Sequence, residues 1–312
     1  MADTYDMIII GGGAAGFTAG LYAARDRCRA LLLERFSAGG QVLNCEHIEN
    51  YPGFPDGIAG YSLGPLLQQQ ATNLGLEMKL AEVQAIKLEG ETKVLQTDAG
   101  TLRTKALIIA PGSSFTKLGI PGEDEFLGNG VSHCASCDGA FFMDQPVAVV
   151  GGGDAALDEG MHLTQYASQV TILHRRDTLR ACQLLQERAR GKEKLSFRGN
   201  TVVRAIEGDE TVRRVQLEEV KTGERSQLEV GGVFLFVGLT PNTEFLQGLV
   251  PLNERGQILT DLSMRTAIPG ILAAGDVRHE SSRQLVSAAG DGATAALAAI
   301  RYLRTGEWEV NQ

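Results

Sequence analysis

The sequence lacks both a long apolar run and an excess of positive charge, and each absence excludes a class of function. Among its 312 residues, 38 are Asp or Glu and 29 are Lys or Arg, which gives a formal net charge of −9. This balance argues against nucleic acid or an anionic membrane surface as a partner. No apolar run approaches the ~20 residues of a membrane span, and the apolar residues 7–10 follow acidic residues rather than the basic start of a signal peptide. We therefore expect no nucleic-acid partner, no membrane span and a cytoplasmic location.

Cysteine is also scarce: the chain has five, of which Cys28, Cys45 and Cys182 are scattered. Cysteines that are few and scattered are typical of proteins in a reducing compartment. We expect Cys28 and Cys182 to be small buried apolar side chains. The other two form a Cys-x-x-Cys pair at Cys134 and Cys137. A zinc ion would need about four ligands, but the sequence has no second Cys-x-x-Cys and no His-x-x-x-His. We therefore expect no metal site.

Glycine, in contrast, is abundant, and a first glycine-rich turn has a dinucleotide-binding pattern. The apolar run 7–10 is followed by G-x-G-x-x-G at 11–16, a small-residue helix and a strand that ends at Glu34. This order of strand, turn, helix, strand and acidic residue within about 30 residues is typical of a βαβ unit that binds a dinucleotide. A carboxylate at Glu34 suits a ribose 2′-hydroxyl and would repel a 2′-phosphate. The candidate binding residues are Gly11, Gly13, Ala14, Ala15 and Glu34.

A second glycine-rich turn repeats this order, with a strand at 147–150, G-x-G-x-x-A at 151–156, a helix and a strand at 169–173. The position 23 residues after the first glycine is Glu34 in the first unit and His174 in the second. A basic cluster begins there, and it favours a 2′-phosphate, so this site should prefer NADPH to NADH. The alternative is that the arginines form a solvated face. The candidate binding residues are Gly151, Gly153, Asp154, Ala155, His174, Arg175, Arg176 and Arg180.

Cys134 and Cys137 lie between the two glycine-rich turns and are predicted to be redox-active. Two intervening residues let both sulfurs reach bonding distance on one turn, and such pairs often have a lowered thiol pKa. A thiol pair between two nucleotide-binding units implies that electrons pass through a disulfide. Asp138 is the candidate acid that protonates a leaving group. The alternative for Asp138 is a turn residue that caps a helix.

Two further apolar strands end in small turns, one before Gly112 and one before Gly275 and Asp276. A small-residue helix at about 285–303 follows Arg283 and Gln284, and its N-terminus would stabilise a negative charge. The second unit is therefore predicted to be inserted into the first, with crossings near 115 and 245. The predicted fold class is α/β, with two Rossmann-like dinucleotide-binding domains, each with three layers and a parallel central sheet, at 1–115 with 245–312 and at 116–244.

Taken together, these motifs resemble the bacterial low-molecular-weight thioredoxin reductases, which are FAD-dependent pyridine nucleotide-disulfide oxidoreductases. The resemblance covers essentially the whole chain, and its motifs lie at 11–16, 39–41, 49–53, 134–139, 151–154, 174–180, 273–278 and 283–284. It implies that the discontinuous domain binds FAD and that the inserted domain binds NADPH. Beyond the first turn, the residues placed around FAD are Gly40, Gln41, Asn50, Gly112, Gly275, Asp276, Arg283 and Gln284.

The resemblance also implies a reaction and an assembly. NADPH would reduce the flavin, and the flavin would open the Cys134–Cys137 disulfide. Cys134 would then attack the disulfide of thioredoxin or a thioredoxin-like protein, and Cys137 would resolve the mixed disulfide. The enzyme would be a homodimer.

Two residues depart from the family pattern, because Ala155 stands where Ser or Thr is usual and Gly160 where Ala is usual. Losing one hydroxyl weakens nucleotide binding by ~1 kcal/mol, and a glycine inside a helix suggests close packing there. An alternative therefore stays open, in which the second site is empty or holds a second FAD and the electrons come from ferredoxin or a thiol. A minor alternative is a redox sensor or binding module that does not turn over.

Overall fold

The computed structural model describes residues 3–246 and 248–308, which divide into two compact units. The larger unit comprises residues 1–114 and 240–312, and the inserted unit comprises residues 115–239. The chain thus crosses between units at 114–115 and 239–240, where the sequence predicted crossings near 115 and 245. The second crossing lies earlier in the chain than predicted, within the short strand Leu239–Pro241.

The strands are β1 (Asp3–Ile10), β2 (Ala30–Glu34), β3 (Glu77–Leu80), β4 (Val83–Glu89), β5 (Thr92–Thr97), β6 (Gly100–Ile109), β7 (Ser113–Phe115), β8 (Val131–Ser132), β9 (Pro146–Gly151), β10 (Gln169–Leu173), β11 (Leu195–Arg198), β12 (Thr201–Gly208), β13 (Val212–Glu219), β14 (Arg225–Glu229), β15 (Gly232–Phe236), β16 (Leu239–Pro241) and β17 (Ile271–Ala273). The α-helices are α1 (Ala14–Arg25), α2 (Gly60–Thr72), α3 (Ala135–Asp138), α4 (Asp154–Leu163), α5 (Gln183–Arg190) and α6 (Leu285–Thr305). Short 3-10 helices lie at Gly40–Asn44, Gly139–Phe142, Glu244–Leu246 and Gly275–Val277.

The larger unit is built on a seven-stranded sheet in the order β3-β2-β1-β6-β5-β4, with β17 also pairing with β6. Strands β1, β2, β3, β6 and β17 run parallel. Along β1, Met7 and Ile9 face a core cluster with α1 and α6, whereas Ile8 and Ile10 face a cluster with β4 and β5. Both faces of the central strands are buried, which explains why the apolar run does not alternate with polar residues.

The inserted unit repeats this plan with a five-stranded parallel sheet in the order β11-β10-β9-β15-β8. Val147 and Val149 on β9 face a cluster that includes α3 and α4. Ala148 and Val150 face the opposite cluster, to which the antiparallel sheet β12-β13-β14 contributes. Each unit thus has helices on one face of a parallel sheet and antiparallel strands on the other. The predicted fold class is confirmed.

Close packing of small residues brings α1 against the first glycine-rich turn and α6 against α1. A Cβ added to Gly16 in α1 would lie 1.8 Å from the Gly11 carbonyl oxygen, and one added to Gly292 in α6 would lie 2.1 Å from the Ala15 carbonyl oxygen. Only glycine permits these approaches. In the part of the chain that is described, no helix combines the length and apolarity that a membrane span requires.

Candidate functional site

The first glycine-rich turn is closed on one side and open on the other. Gly11 has a φ of +104°, and an added Cβ would lie 2.2 Å from the Ala110 carbonyl oxygen. Around Gly13, in contrast, the described residues leave the space within 4 Å of an added Cβ open. The Gly12 N–H donates to Oε2 of Glu34 at 2.7 Å, which fixes the carboxylate beside the turn. An open glycine backbone with an acid at its end is the arrangement that receives a dinucleotide with a free ribose.

Ala14 and Ala15 form the first turn of α1, which extends over 12 residues from the N-cap Gly13. Their methyl groups are buried in the core, so their contribution to binding is the backbone. The first N–H groups of a helix have no partner within the helix and attract phosphate. The residues present therefore fit the pyrophosphate of a dinucleotide.

The other residues predicted around FAD lie in the same unit, and contacts connect several of them. Gly40 lies beside the first turn, because an added Cβ would be 3.3 Å from Cα of Gly13. Asn50 donates to Oε1 of Gln284 at 3.1 Å, and Gln41 donates to the Ser113 carbonyl at 3.0 Å. Gly112, with a φ of +65°, has open space around it.

Asp276 lies in the 3-10 turn after β17, and its loop packs on α1. A Cβ added to Gly275 would lie 3.1 Å from Cβ of Ala15. Burial raises the pKa of the Asp276 carboxyl, while the guanidinium of Arg283 acts in the opposite direction. Arg283 itself adopts a φ of 53°, in the left-handed region that a non-glycine residue seldom occupies.

Asp291 and Ser113 were missed by the sequence reasoning. Asp291 in α6 is 7% exposed; it accepts from the Gly275 N–H at 3.1 Å and forms a bidentate pair with Arg278 at 2.6 and 2.9 Å. An acid within a small-residue helix was the available signal. The Ser113 hydroxyl is buried without a hydrogen-bond partner among the described residues, and a polar ligand or a water molecule would satisfy it.

Cys134 and Cys137 form a disulfide in the inserted unit, with Cα atoms 5.3 Å apart. Cys134 is the N-cap of α3, which places both sulfurs on one short turn. The Ser132 hydroxyl donates to the Asp138 carboxylate at 2.6 Å and accepts from the Cys134 N–H at 3.0 Å. The serine thus connects the two ends of α3 and fixes Asp138 next to the pair, a contact that no sequence motif indicates.

The second glycine-rich turn has the same open edge, since no atom of residues 3–246 and 248–308 outside the turn lies within 4 Å of a Cβ added to Gly153. The His174 ring, however, lies behind the turn: it is 6% exposed, and a Cβ on Gly152 would be 2.5 Å from it. Its Nε2 has no partner among the described residues. Burial lowers the pKa of His174, and the charges of Arg180, Arg175 and Arg176 lower it further.

The three predicted arginines are exposed, and no acidic side chain pairs with them in the described part of the chain. Ala155 is exposed at the start of α4. Asp154 accepts from the Cys182 N–H at 2.7 Å, so its carboxylate ties the turn to the start of α5. These contacts leave the basic cluster available for a phosphate.

One prediction about the free cysteines is wrong. Cys182 is exposed, because it lies at the surface directly before α5, where its backbone N–H donates to Asp154. Cys28 is half-buried rather than fully buried. No group of three or more His, Cys, Asp or Glu side chains is placed to hold a metal ion within residues 3–246 and 248–308.

Comparison with known proteins agrees with this geometry. The family model of the pyridine nucleotide-disulphide oxidoreductases matches residues 5–293. A thioredoxin reductase of Streptomyces coelicolor is 45% identical over 306 residues, covering 97% of this chain and 95% of the relative. The structure of a thioredoxin reductase from Lactococcus lactis matches with a TM-score of 0.94 at 45% identity, covering 96% of this chain and 99% of that one.

A ferredoxin-flavin thioredoxin reductase from Clostridium acetobutylicum is less similar, with a TM-score of 0.54 at 29% identity over 98% of this chain and 100% of that one. The predicted resemblance to the bacterial low-molecular-weight thioredoxin reductases is thereby confirmed, and the chain belongs to the pyridine nucleotide-disulphide oxidoreductase family.

Proposed function

We propose that this disulfide oxidoreductase is an NADPH-dependent thioredoxin reductase that carries FAD. The observation that carries the proposal is the Cys134–Cys137 disulfide, which lies on a helix packed against α4, the helix that the second glycine-rich turn begins. The redox-active pair and a phosphate-binding turn are thus attached to one element. By its similarity to the family, we also propose a homodimer in the cytoplasm.

The larger unit supplies the residues for FAD. Glu34 would accept from the adenosine ribose, and the open backbone from Gly11 to Ala15 would receive the pyrophosphate. The site would be completed by Gly40, Gln41, Asn50, Gly112, Gly275, Asp276, Arg283 and Gln284. Held by these residues, FAD would supply the two-electron chemistry that connects a nicotinamide to a disulfide.

The inserted unit supplies the residues for NADPH. Gly151, Gly153, Asp154 and Ala155 form the turn, with α4 behind it. Arg175, Arg176 and Arg180 would pair with the 2′-phosphate, and bidentate arginine contacts to phosphate are among the stronger hydrogen bonds. His174 would contribute by supporting the turn from behind, since its ring is buried.

Thiol–disulfide exchange would be carried out by side chains of the protein itself. The reduced Cys134 thiolate would attack one sulfur of the thioredoxin disulfide, forming an S–S bond between the proteins and releasing the other sulfur as a thiolate. The Cys137 thiolate would then attack the Cys134 sulfur, which restores the disulfide and releases thioredoxin as a dithiol. Asp138, held by the Ser132 hydroxyl at 2.6 Å, would donate a proton to the thiolate that leaves.

Two exposed apolar side chains that follow the pair are candidates for docking thioredoxin. Phe141 is 77% exposed and Met143 is 54% exposed, whereas Phe142 between them is buried and packs edge-to-face on Phe234. Phe142 anchors the segment, and its two neighbours remain at the surface. Large exposed apolar side chains beside a reactive group are typical of protein-binding surfaces.

The test combines flavin content with electron transfer. We expect about one FAD per chain, loss of the flavin absorbance on anaerobic titration with NADPH, and thioredoxin-dependent NADPH oxidation. Cys134→Ser and Cys137→Ser should abolish the thioredoxin reaction, and Cys137→Ser should trap a mixed disulfide through Cys134. Phe141→Ala should raise KM for thioredoxin while the NADPH titration stays unchanged.

Other outcomes would identify the alternatives. About two flavins per chain, or bleaching by reduced ferredoxin or a dithiol but not by NADPH, would reject NADPH as the donor. Bleaching by NADPH without turnover on any disulfide would indicate a redox sensor.

A further inference from the structure

Glu159 interrupts the apolar face with which α4 contacts the redox-active helix. Ala156 and Leu163 are both 0% exposed, and they lie three residues before and four residues after Glu159, which places all three on one face of the helix. Ala156 and Leu163 share a core cluster with Ala135 of α3. An apolar side chain would suit this position by packing alone, so the glutamate requires a different explanation.

The carboxylate of Glu159 accepts a hydrogen bond from the Ala135 N–H at 2.9 Å. Ala135 is 0% exposed and is the first residue of α3, directly after Cys134. An N–H at the start of a helix has no acceptor within the helix, so the carboxylate satisfies a buried donor. At the other end, a Cβ on Gly139 would lie 3.2 Å from Leu163 and from Tyr166. Residues 135–139 are therefore held against α4 at both ends.

Other titratable groups lie next to the pair or on the helix that packs against it. His133 stacks on Phe115 with ring centroids 4.9 Å apart, and its Nδ1 lies 3.0 Å from the Leu235 carbonyl. Asp138 is bonded to Ser132, and Asp158 is exposed on α4. Glu159 is the group bonded to the backbone of the residue adjoining Cys134, and a carboxylate there disfavours a thiolate on Cys134.

We propose that Glu159 is a positioning residue for the thiol pair: its carboxylate holds the start of α3 on α4, and its charge makes the dithiol a stronger reductant. Reduction adds two electrons and two protons to the disulfide and gives two thiols. Where one thiol ionises, stabilising its thiolate stabilises the reduced form and weakens it as an electron donor. A nearby negative charge has the opposite effect. The proposal rests on the proposed function, in which this pair carries the electrons.

Glu159→Gln separates charge from position, because the amide oxygen still accepts from the Ala135 N–H. The matched control is Asp158→Asn, which removes the same charge from the next, exposed position. Alkylation of Cys134 in the reduced holoenzyme is followed against pH by mass spectrometry of the peptide that contains residues 134–137. In Glu159→Gln we expect the apparent thiol pKa to fall by about half to one unit, so about three- to tenfold more thiolate near neutral pH. Asp158→Asn should leave it unchanged.

The redox equilibrium gives a second readout. In dithiothreitol buffers at pH 8 to 9, Glu159→Gln should shift the pair about three- to tenfold toward the dithiol, where a tenfold shift corresponds to about 30 mV. Glu159→Ala also removes the acceptor and should in addition accelerate hydrogen exchange at Ala135. An unchanged thiol pKa and equilibrium in Glu159→Gln, or an equal shift in Asp158→Asn, would overturn the proposal. Neither readout uses thioredoxin. A failure of the proposed function, which is measured as thioredoxin reduction, can therefore be distinguished from a failure of this proposal.

Discussion

In the larger unit, the second strand of the βαβ motif ends at Glu34; in the inserted unit, the equivalent residue is His174, directly after the second strand. The middle glycine of each turn lies directly against this side chain. A Cβ on Gly12 would be 3.1 Å from Oε2 of Glu34, and a Cβ on Gly152 would be 2.5 Å from the His174 ring. The third residue of each turn, Gly13 or Gly153, faces open space. Both turns therefore require glycine at equivalent positions, although one packs against an acidic side chain and the other against a basic one.

The difference lies in where the charge is placed. In the larger unit the charged group is Glu34 itself, bonded to the turn at 2.7 Å. In the inserted unit His174 is buried, and the charge is carried by the exposed residues after it, beginning at Arg175 and Arg176. Under the proposed function, the backbone of each turn would receive a phosphate, and Glu34 or the arginines after His174 would select the ribose.

The largest expected effect comes from removing the charge on the inserted unit. Replacing both Arg175 and Arg176 by Ala should raise KM for NADPH by ~100-fold, because each charge-assisted contact with the 2′-phosphate contributes about 1.5 to 3 kcal/mol. The KM for NADH should change little, since NADH has no 2′-phosphate. Steady-state kinetics with both donors measures the ratio, and Arg190→Ala on the exposed face of α5 is the control. Equal losses with the two donors would show that the cluster does not read the 2′-phosphate.

The equivalent change in the larger unit is Glu34→Gln. The amide oxygen can still accept from the Gly12 N–H, but the NH₂ group that replaces the other oxygen cannot accept from the Phe36 N–H or from the ribose, so the dissociation constant for FAD should rise by about tenfold. Fluorescence of FAD released on dilution provides the measurement. Glu82→Gln, an exposed carboxylate of the same unit that pairs with Arg35, should retain FAD as the wild type does. Equal retention by both variants would remove Glu34 from the ribose site.

Each unit also contains a buried basic group, and the two should affect stability in different pH ranges. Lys93 is 1% exposed and donates to the carbonyls of Glu91 and Lys105 at 3.0 and 2.8 Å. Burial lowers its pKa to about 8. Between pH 8 and about 10.4 the unfolded chain therefore binds more protons than the folded chain, and the free energy of unfolding should rise with pH. For His174, whose pKa is lowered from about 6.5, the free energy of unfolding should fall as the pH drops below that value.

Urea unfolding from pH 5 to pH 10 tests both groups. Lys93→Met should lose the rise on the alkaline side and keep the acid side unchanged. His174→Gln should do the reverse. Curves that run parallel to the wild type over the whole range would contradict the assignment of these two titrations.

Local patterns made much of this site predictable, and contacts between distant segments made the rest unpredictable. The glycine turns, the strand ends and the Cys134–Cys137 pair follow from residues close in sequence. The Glu159 contact joins residues 24 positions apart and depends on how α3 packs. Lys93 lies in a strand of mixed polarity and is buried because Tyr302, near the far end of the chain, covers its ammonium at 5.5 Å. No spacing rule in the sequence indicates that cover.

The smallest expected effects concern the glycine nine residues into each motif, Gly20 in α1 and Gly160 in α4. The sequence suggested close packing at Gly160, and the structure confirms it: an added Cβ would lie 2.7 Å from Cδ1 of Ile172, the mobile end of that side chain. At Gly20 the contact is more severe, with three atoms of Leu76 between 2.4 and 3.2 Å.

Alanine gains ~1 kcal/mol over glycine within a helix, and overpacking costs about 1 to 3 kcal/mol. Gly160→Ala should therefore be nearly neutral, and Gly20→Ala should destabilise by ~1 kcal/mol. Ile172→Val removes Cδ1, so adding Gly160→Ala to that variant should stabilise it by ~1 kcal/mol. Free energies of unfolding in urea for the three single variants and the double variant decide the matter, and a Gly160→Ala loss as large as that of Gly20→Ala would mean that Ile172 cannot move aside.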